Sequence, residues 1–278
     1  MSYVILKDIV FAYPNGYVAV ENVSMEIGKG ESVAIIGQNG AGKTTTVKLM
    51  NGLTKPTKGD VIIDGWNTKD YTTAQMSKKV GYVFQNPDDQ IFHNDVYSEI
   101  EFGPRNLKLS EEEIKKNVDY AIEVTEIQDF LKDNPYNLPF SMRKFVTIAS
   151  VIAMNTDVII LDEPTAGQDM VGMEMLARLI KSLKEKGKTV ITITHDMEFV
   201  VRNFDRVIVM AHKNVIDDDD KRNIFWKHDI LEEAGLKQPY ISQLSKNLGI
   251  NEKILDINDF INYIEEKHID KGSGGRNE

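Results

Sequence analysis

The stretch Gly37-Gln38-Asn39-Gly40-Ala41-Gly42-Lys43-Thr44 has the residue types and spacing of a phosphate cradle, G-x-x-x-x-G-K-[ST]. It follows the apolar run Val33–Ile36 and opens a helical segment, Thr45–Met50, which is the strand–loop–helix context the motif needs. Glycines let backbone N–H groups turn inward around a β-phosphate, and the helix start adds partial positive charge. The expected nucleotide contacts are Gly37, Asn39, Gly40, Ala41, Gly42, Lys43, Thr44 and Thr45. Lys43 is suited to neutralise the β- and γ-phosphates, and the Thr44 hydroxyl to ligate Mg²⁺, so ATP and Mg²⁺ are the expected cofactors. A Gly-rich turn that binds nothing is the competing reading, but chance supplies the four fixed positions in only about 1% of chains this long.

A second constellation lies far along the chain. Val158–Leu161 reads as a buried strand that delivers Asp162 and Glu163 at its C-terminal end, where open α/β sheets bind ligands. Asp162 is suited to hold Mg²⁺ through its water shell, and Glu163 to polarise an attacking water. An acidic pair at a strand end is by itself as well explained by a solvated turn; the phosphate cradle upstream decides for the site. Gln85, after Val80–Phe84, and His195, after Thr189–Thr194, are further polar residues at strand ends.

The elements that must position these groups follow an α/β pattern. Val4–Leu6, Val33–Ile36 and Val61–Ile63 are short apolar runs bounded by Gly, Asp or Lys, as strands are. Ser110 and Glu113 form a capping box ahead of Ile114, Val118, Ala121 and Ile122 at helical spacing, and a second helix is expected over Ser141–Met154. Strand Val158–Leu161, helix Met170–Lys186 closed by Gly187, and strands Thr189–Thr194 and Val207–Met210 then alternate, which implies a mostly parallel sheet covered on its faces. Beyond Asn223 come short polar helices, one with Ile257, Phe260, Ile261 and Ile264 on a single face. Asp217–Asp220 is expected to be a solvated turn.

Composition narrows the function. The 278 residues contain no cysteine, which suits a reducing compartment and removes thiolate chemistry. A net charge of -10 argues against general nucleic-acid binding. No stretch approaches the ~18 continuous apolar residues of a membrane span, and Lys7 and Asp8 interrupt what would be a secretory leader.

In order, phosphate loop, Gln85, Asp162-Glu163, Asp169 and His195 resemble the motifs of ATP-binding-cassette (ABC) nucleotide-binding domains, over about residues 3–225. The resemblance implies a P-loop NTPase with a mixed β core, spanning 1–225 with a helical subdomain near 87–155; 226–270 is a helical extension, similar over Asn223–Gly249 to the C-terminal helices by which the ATPases of energy-coupling factor transporters pair, and 271–278 reads as a disordered tail. It implies that Gln85 senses Mg²⁺ and the γ-phosphate, that His195 contacts the γ-phosphate, that Asp169 belongs to a loop crossing a dimer interface, and that Tyr13 stacks on adenine. Otherwise Tyr13 is a strand-edge tyrosine packed on the sheet. Catalysis is expected to rest on Glu163, His195, Gln85 and Lys43, with Thr44, Gln85 and Asp162 about the metal.

Val83–Phe92 and Phe102–Leu107 are similar to the ATPases of energy-coupling factor (ECF) transporters, importers of vitamins and transition-metal ions, in which the Gln85–Phe92 region meets an integral-membrane coupling protein. That likeness implies a peripheral subunit on the cytoplasmic face of the membrane, with a substrate-binding membrane subunit as an indirect partner. One segment departs from the family. Counting back from Val146–Ala149, the positions that should read Leu-Ser-Gly-Gly-Gln read Leu138-Pro139-Phe140-Ser141-Met142. In the family this signature caps the γ-phosphate bound by the partner subunit, so Pro139, Phe140 and Ser141 are expected at the dimer interface. Pro139 has no N–H to donate and Phe140 is bulky where glycine allows close approach. Ser141 is alternatively a helix cap, with Lys144 exposed. A heterodimer with an ATPase of intact signature follows; a soluble non-transport cassette and a regulatory subunit with little hydrolysis are the other readings.

Overall fold

The computed structural model describes residues 2–273. Ten strands are present among them: β1 (Ser2–Ala12), β2 (Val18–Gly28), β3 (Ser32–Ile36), β4 (Lys58–Ile63), β5 (Trp66–Asn67), β6 (Val80–Val83), β7 (Val158–Asp162), β8 (Thr189–Ile193), β9 (Arg206–Ala211) and β10 (Asn214–Asp220). They form a four-stranded antiparallel sheet, β2-β1-β4-β5, and a six-stranded sheet, β10-β9-β3-β8-β7-β6. The larger sheet is parallel except for β10. Every residue of β3, β7 and β8 is buried, which is why these segments are continuous apolar runs and not alternating ones.

The period of two along those strands sorts their side chains into two cores. Ile35, Ile160, Ile191 and Ile208 point toward the four-stranded sheet, together with Val47, Leu49 and Met50 of α1 (Lys43–Met50). Ala34, Ile36, Ile159, Leu161 and Val209 point to the other face. After the short α2 (Thr73–Met76), helices α3 (Val96–Asn106), α4 (Glu111–Thr125), α5 (Phe140–Ala153), α6 (Met170–Glu185) and α7 (Met197–Asn203) bring residues to this second core. The expected capping box holds α4: Glu113 N–H donates to Ser110 Oγ at 3.3 Å and Ser110 N–H to Glu113 Oε2 at 2.9 Å.

The C-terminal segment contains α8 (Lys221–Trp226), α9 (His228–Glu233), α10 (Tyr240–Asn247) and α11 (Ile257–Ser273). Ile224, Phe225, Leu231, Ala234 and Leu255 belong to the same core as the sheet face, so no separate core begins near residue 226. Residues 271–273 continue α11, and 274–278 of the expected tail lie outside the described residues.

Asp217–Asp220 is a strand, not a turn. β10 pairs with β9, and alternation sends Asp217 and Asp219 to Lys227 (2.8 and 3.2 Å) and Asp218 to Arg206 (2.7 Å). Consecutive acids read as solvated from composition alone; partners supplied from β9 and from the residue after α8 make them a charged edge, a device that also deters edge-to-edge pairing.

Phe145, on α5, is among the largest fully buried side chains of the α-helical face. Phe145→Ala is expected to cost about 3–5 kcal/mol of unfolding free energy, read as a lower denaturant midpoint with unchanged far-ultraviolet circular dichroism before the transition.

Candidate nucleotide site

Strand β3 sits between β9 and β8, with β7 beyond, so the loop after β3 leaves the sheet beside the C-terminal ends of three parallel neighbours. Gly37 has φ 151°, and a Cβ there would stand 2.1 Å from the Met210 carbonyl oxygen on β9. Gly42 has φ 99°, and a Cβ would stand 2.8 Å from the Ala19 carbonyl oxygen. Only glycine passes through both gaps, and the loop they permit is the cradle. The helix it opens starts at Lys43, two residues before the position expected from sequence.

Lys43 is buried and its Nζ folds back on its own loop, donating to the carbonyls of Gly37 at 2.7 Å and Gln38 at 3.1 Å. Burial lowers its pKa, and the carboxylates of Glu163 and Asp162 oppose that shift. Thr44 Oγ1 donates to Asp162 Oδ1 at 3.2 Å, so residues 118 positions apart meet. The other oxygen of Asp162 accepts from the Tyr82 hydroxyl at 2.7 Å. Burial and this carboxylate together raise the Tyr82 pKa, so the phenol stays protonated and donating. Tyr82 is a site-supporting residue that sequence reasoning missed. Its signal was a tyrosine inside a buried strand, where the hydroxyl needs a partner.

Glu163 follows Asp162 at φ 50°, and its Oε2 meets His195 Nδ1 at 2.9 Å. Desolvation raises the Glu163 pKa, with His195 and Lys43 pulling the other way. Lys144 corrects the sequence expectation. It is 2% exposed and its Nζ donates to the Glu163 carbonyl, and burial pushes its ammonium down to about 8. Ser141 does not cap α5 either; the cap position is Pro139, with no side-chain hydrogen bond. The Phe140 ring lies against Gly167, where a Cβ would come within 2.9 Å of it.

A cavity of about 310 Å³ is lined by Tyr13, Asn39, Gly40, Gly42–Thr45, Gln85 and Glu163, and by Tyr17 and Ala19. Tyr13 is part-exposed at its mouth, its hydroxyl 3.3 Å from Thr45 Oγ1 and its ring stacked near Tyr17. Tyr17 was missed by sequence reasoning; the tight turn Tyr13–Tyr17, closed by Tyr13 N–H to Tyr17 C=O at 2.9 Å, brings it there. A second opening holds Gly37, Gln85, Glu163 and His195 together with Gly235–Lys237 of the C-terminal segment. Gln38 N–H donates to the Ala234 carbonyl at 3.1 Å, so this segment touches the phosphate loop directly. No motif announced it. Asp169 caps α6, its Oδ1 accepting from Gly172 N–H at 2.8 Å, and it lines neither opening.

Ionised Glu163 in the nucleotide-free chain is a stability cost that its proton removes. Because its folded pKa is raised, that proton-linked stability is present below the ordinary Glu range and lost as pH rises through the folded value. Glu163→Gln is therefore expected to melt above wild type at pH 7, the gap closing on acidification; differential scanning calorimetry checks it.

Residues 20–166 match the family model described as ABC transporter. A protein of Pyrococcus horikoshii named as an ABC transporter ATP-binding protein is 41% identical over 88% of this chain and 93% of its own length. The energy-coupling factor transporter ATP-binding protein EcfA of Methanocaldococcus jannaschii is 38% identical over 89% of this chain and 90% of its own. Among solved structures, cbiO1 of Clostridium perfringens, part of the ABC transporter complex cbiONQ, superposes with TM-score 0.75 at 34% identity, covering 88% of this chain and 100% of that one. An ATP-binding cassette solved as a dimer with ADP and Pi gives TM-score 0.71 at 31% identity over 78% of this chain and 98% of that one. Phosphate cradle, acidic strand end and overall likeness agree: the chain belongs to the ABC transporter family, as an ATP-binding subunit with the cassette ATPase fold.

Proposed function

We propose that this chain energises an ECF-type importer of a vitamin or transition-metal ion, as one half of a pair of unlike cassette ATPases peripheral to the cytoplasmic face of the membrane. The observation that carries the unlike pair is the start of α5. Pro139 stands at its cap with no side-chain hydrogen bond and Phe140 packs on Gly167, so the two positions at which the family offers a partner's γ-phosphate a serine hydroxyl and a glycine N–H hold a proline and a phenylalanine here. Its own cradle and Glu163–His195 pair are complete, which disfavours a purely regulatory subunit.

The donor set at the cradle fits a hard divalent cation: the Thr44 hydroxyl meets the Asp162 carboxylate, and Gln85, whose amide oxygen would complete the set, lines the same cavity as Thr44. Mg²⁺, when bound, would neutralise charge on the β- and γ-phosphates. Lys43 leaves its own loop carbonyls for the phosphates, while Glu163 orients the water and His195 steadies Glu163 and the γ-phosphate. Charge spread over the γ-oxygens makes positioning the main contribution. Tyr13 stacks on the base, with Tyr17 behind it. A second ATPase carrying an intact signature closes over this site. Met170 and Val171, exposed beside Asp169, suit that closure, and the part-exposed to exposed row Tyr240, Leu244, Leu248, Ile257, Ile261 and Ile264 suits pairing of the C-terminal helices.

The membrane coupling protein is read from a groove of about 490 Å³ whose walls include Leu53, Phe84, Phe92, Phe102, Leu107 and Met154. Phe92 is 57% exposed and meets Phe102 edge-on at 4.6 Å. The turn after Gln85 leads into it, so a change at the γ-phosphate has a short path to the groove. Among the described residues no helix is long and apolar enough to cross a membrane.

The purified single chain is expected to bind ATP but hydrolyse it near background, and to turn over in the complex copurified with its native partners. Brisk hydrolysis by the single chain, abolished by Glu163→Gln, would falsify the unlike pair. In the complex, Pro139→Ser with Phe140→Gly is expected to raise turnover roughly tenfold at the partner's site. Phe92→Asp is expected to keep ATP binding and lose the membrane subunit from an affinity pull-down.

A further inference from the structure

Lys144 stands one turn into α5 with its ammonium almost wholly removed from solvent, a placement that lysine adopts only when something holds the charge. What holds it is the backbone of Glu163: Nζ donates to that residue's carbonyl oxygen. The same carbonyl accepts from Ala166 N–H at 3.4 Å, and on the other side Glu163 N–H donates to the Ile193 carbonyl of β8 at 2.9 Å. Between these anchors Glu163 has φ 50°, a left-handed conformation that a residue with a side chain keeps only where its surroundings impose it. That turn lets Glu163 leave β7 and bring its carboxylate to His195 at 2.9 Å and to the wall of the nucleotide cavity. The Phe140 ring covers the ammonium, with its centroid 5.5 Å from Nζ, so the clamp is shielded from water on the side where α5 begins.

We infer that Lys144 is a positioning residue for ATP hydrolysis, clamping the backbone of Glu163 so that its carboxylate faces the phosphate site. The inference rests on the reading of Glu163 as the water-orienting group. On the same reading, it ties the first turn of α5, the segment proposed to face a partner's nucleotide, to this chain's own hydrolytic carboxylate through a single ammonium–carbonyl contact. A tilt of α5 moves the donor, and the Glu163 turn loses one of its three backbone contacts. The arrangement differs from a lysine that merely fills space, because its polar end meets one atom of one functional residue.

The test uses the complex copurified with its native partners. Lys144→Met keeps the length and apolar stem of the side chain and removes the donor. It is expected to lower kcat for Mg·ATP roughly 10- to 100-fold while KM stays within about threefold, because a displaced carboxylate costs turnover and not ground-state binding. Added to Glu163→Gln, the same change is expected to bring no further loss in the residual single-turnover rate, since two groups acting through one function are not additive. If Lys144→Met does not fold, Lys144→Gln, whose amide nitrogen ends one bond short of the position that Nζ occupies, is measured in its place with the same expectation. A purely structural lysine would lower the melting temperature and leave kcat untouched, and that result overturns the inference. So does an undiminished further loss on the Glu163→Gln background. Loss of turnover in Glu163→Gln with none in Lys144→Met overturns the clamp alone, whereas full turnover in Glu163→Gln overturns the role of Glu163 and the clamp with it.

Discussion

The close passage of Gly37 beneath the Met210 carbonyl is the constraint on which the remaining chemistry depends. It is a contact between a backbone with no side chain and the adjacent parallel strand, and it directs the chain out of β3 so that the following N–H groups converge. Everything else at the site is placed relative to that exit. Lys43 and Thr44 are the first residues of the helix that follows, and Asp162 reaches Thr44 because β7 lies two strands from β3 in the same sheet. Burial of three whole strands fixes the strand ends to within a residue, which loops alone cannot do.

The two buried carboxylates at the site each have polar partners. Asp162 accepts from Tyr82 and Thr44, Glu163 meets the exposed His195 ring, and the two buried lysines lie near both carboxylates. Desolvation makes the ionised Glu163 a cost to the empty fold, while its proposed role in hydrolysis needs the charge, so function and stability pull against each other most strongly there.

How much of this was legible in the sequence depended on how local the signal was. The cradle, the acidic strand end and the capping box at Ser110 are written within a few residues, and each stands where its motif places it. Tyr17 and Gly235–Lys237 were not legible, because they reach the site through a turn and a distant segment; Tyr82 left a trace, a tyrosine in a buried strand, but nothing local named Asp162 as its partner. Asp217–Asp220 misled because four acids suggest solvent until a paired strand and two basic partners are known. Lys144 misled for the same reason: lysine in the first turn of a helix suggests water, and only the fold shows a carbonyl waiting for it.

The hydrogen bond from Gln38 N–H to the Ala234 carbonyl closes a loop of nearly two hundred residues on the phosphate cradle itself. The C-terminal segment is thus a load-sharing strut of the cradle as well as an appendage. A cassette shortened before Ala234 would keep every recognisable motif and lose a support of its first one, so the minimal functional unit of this chain is longer than its motifs suggest.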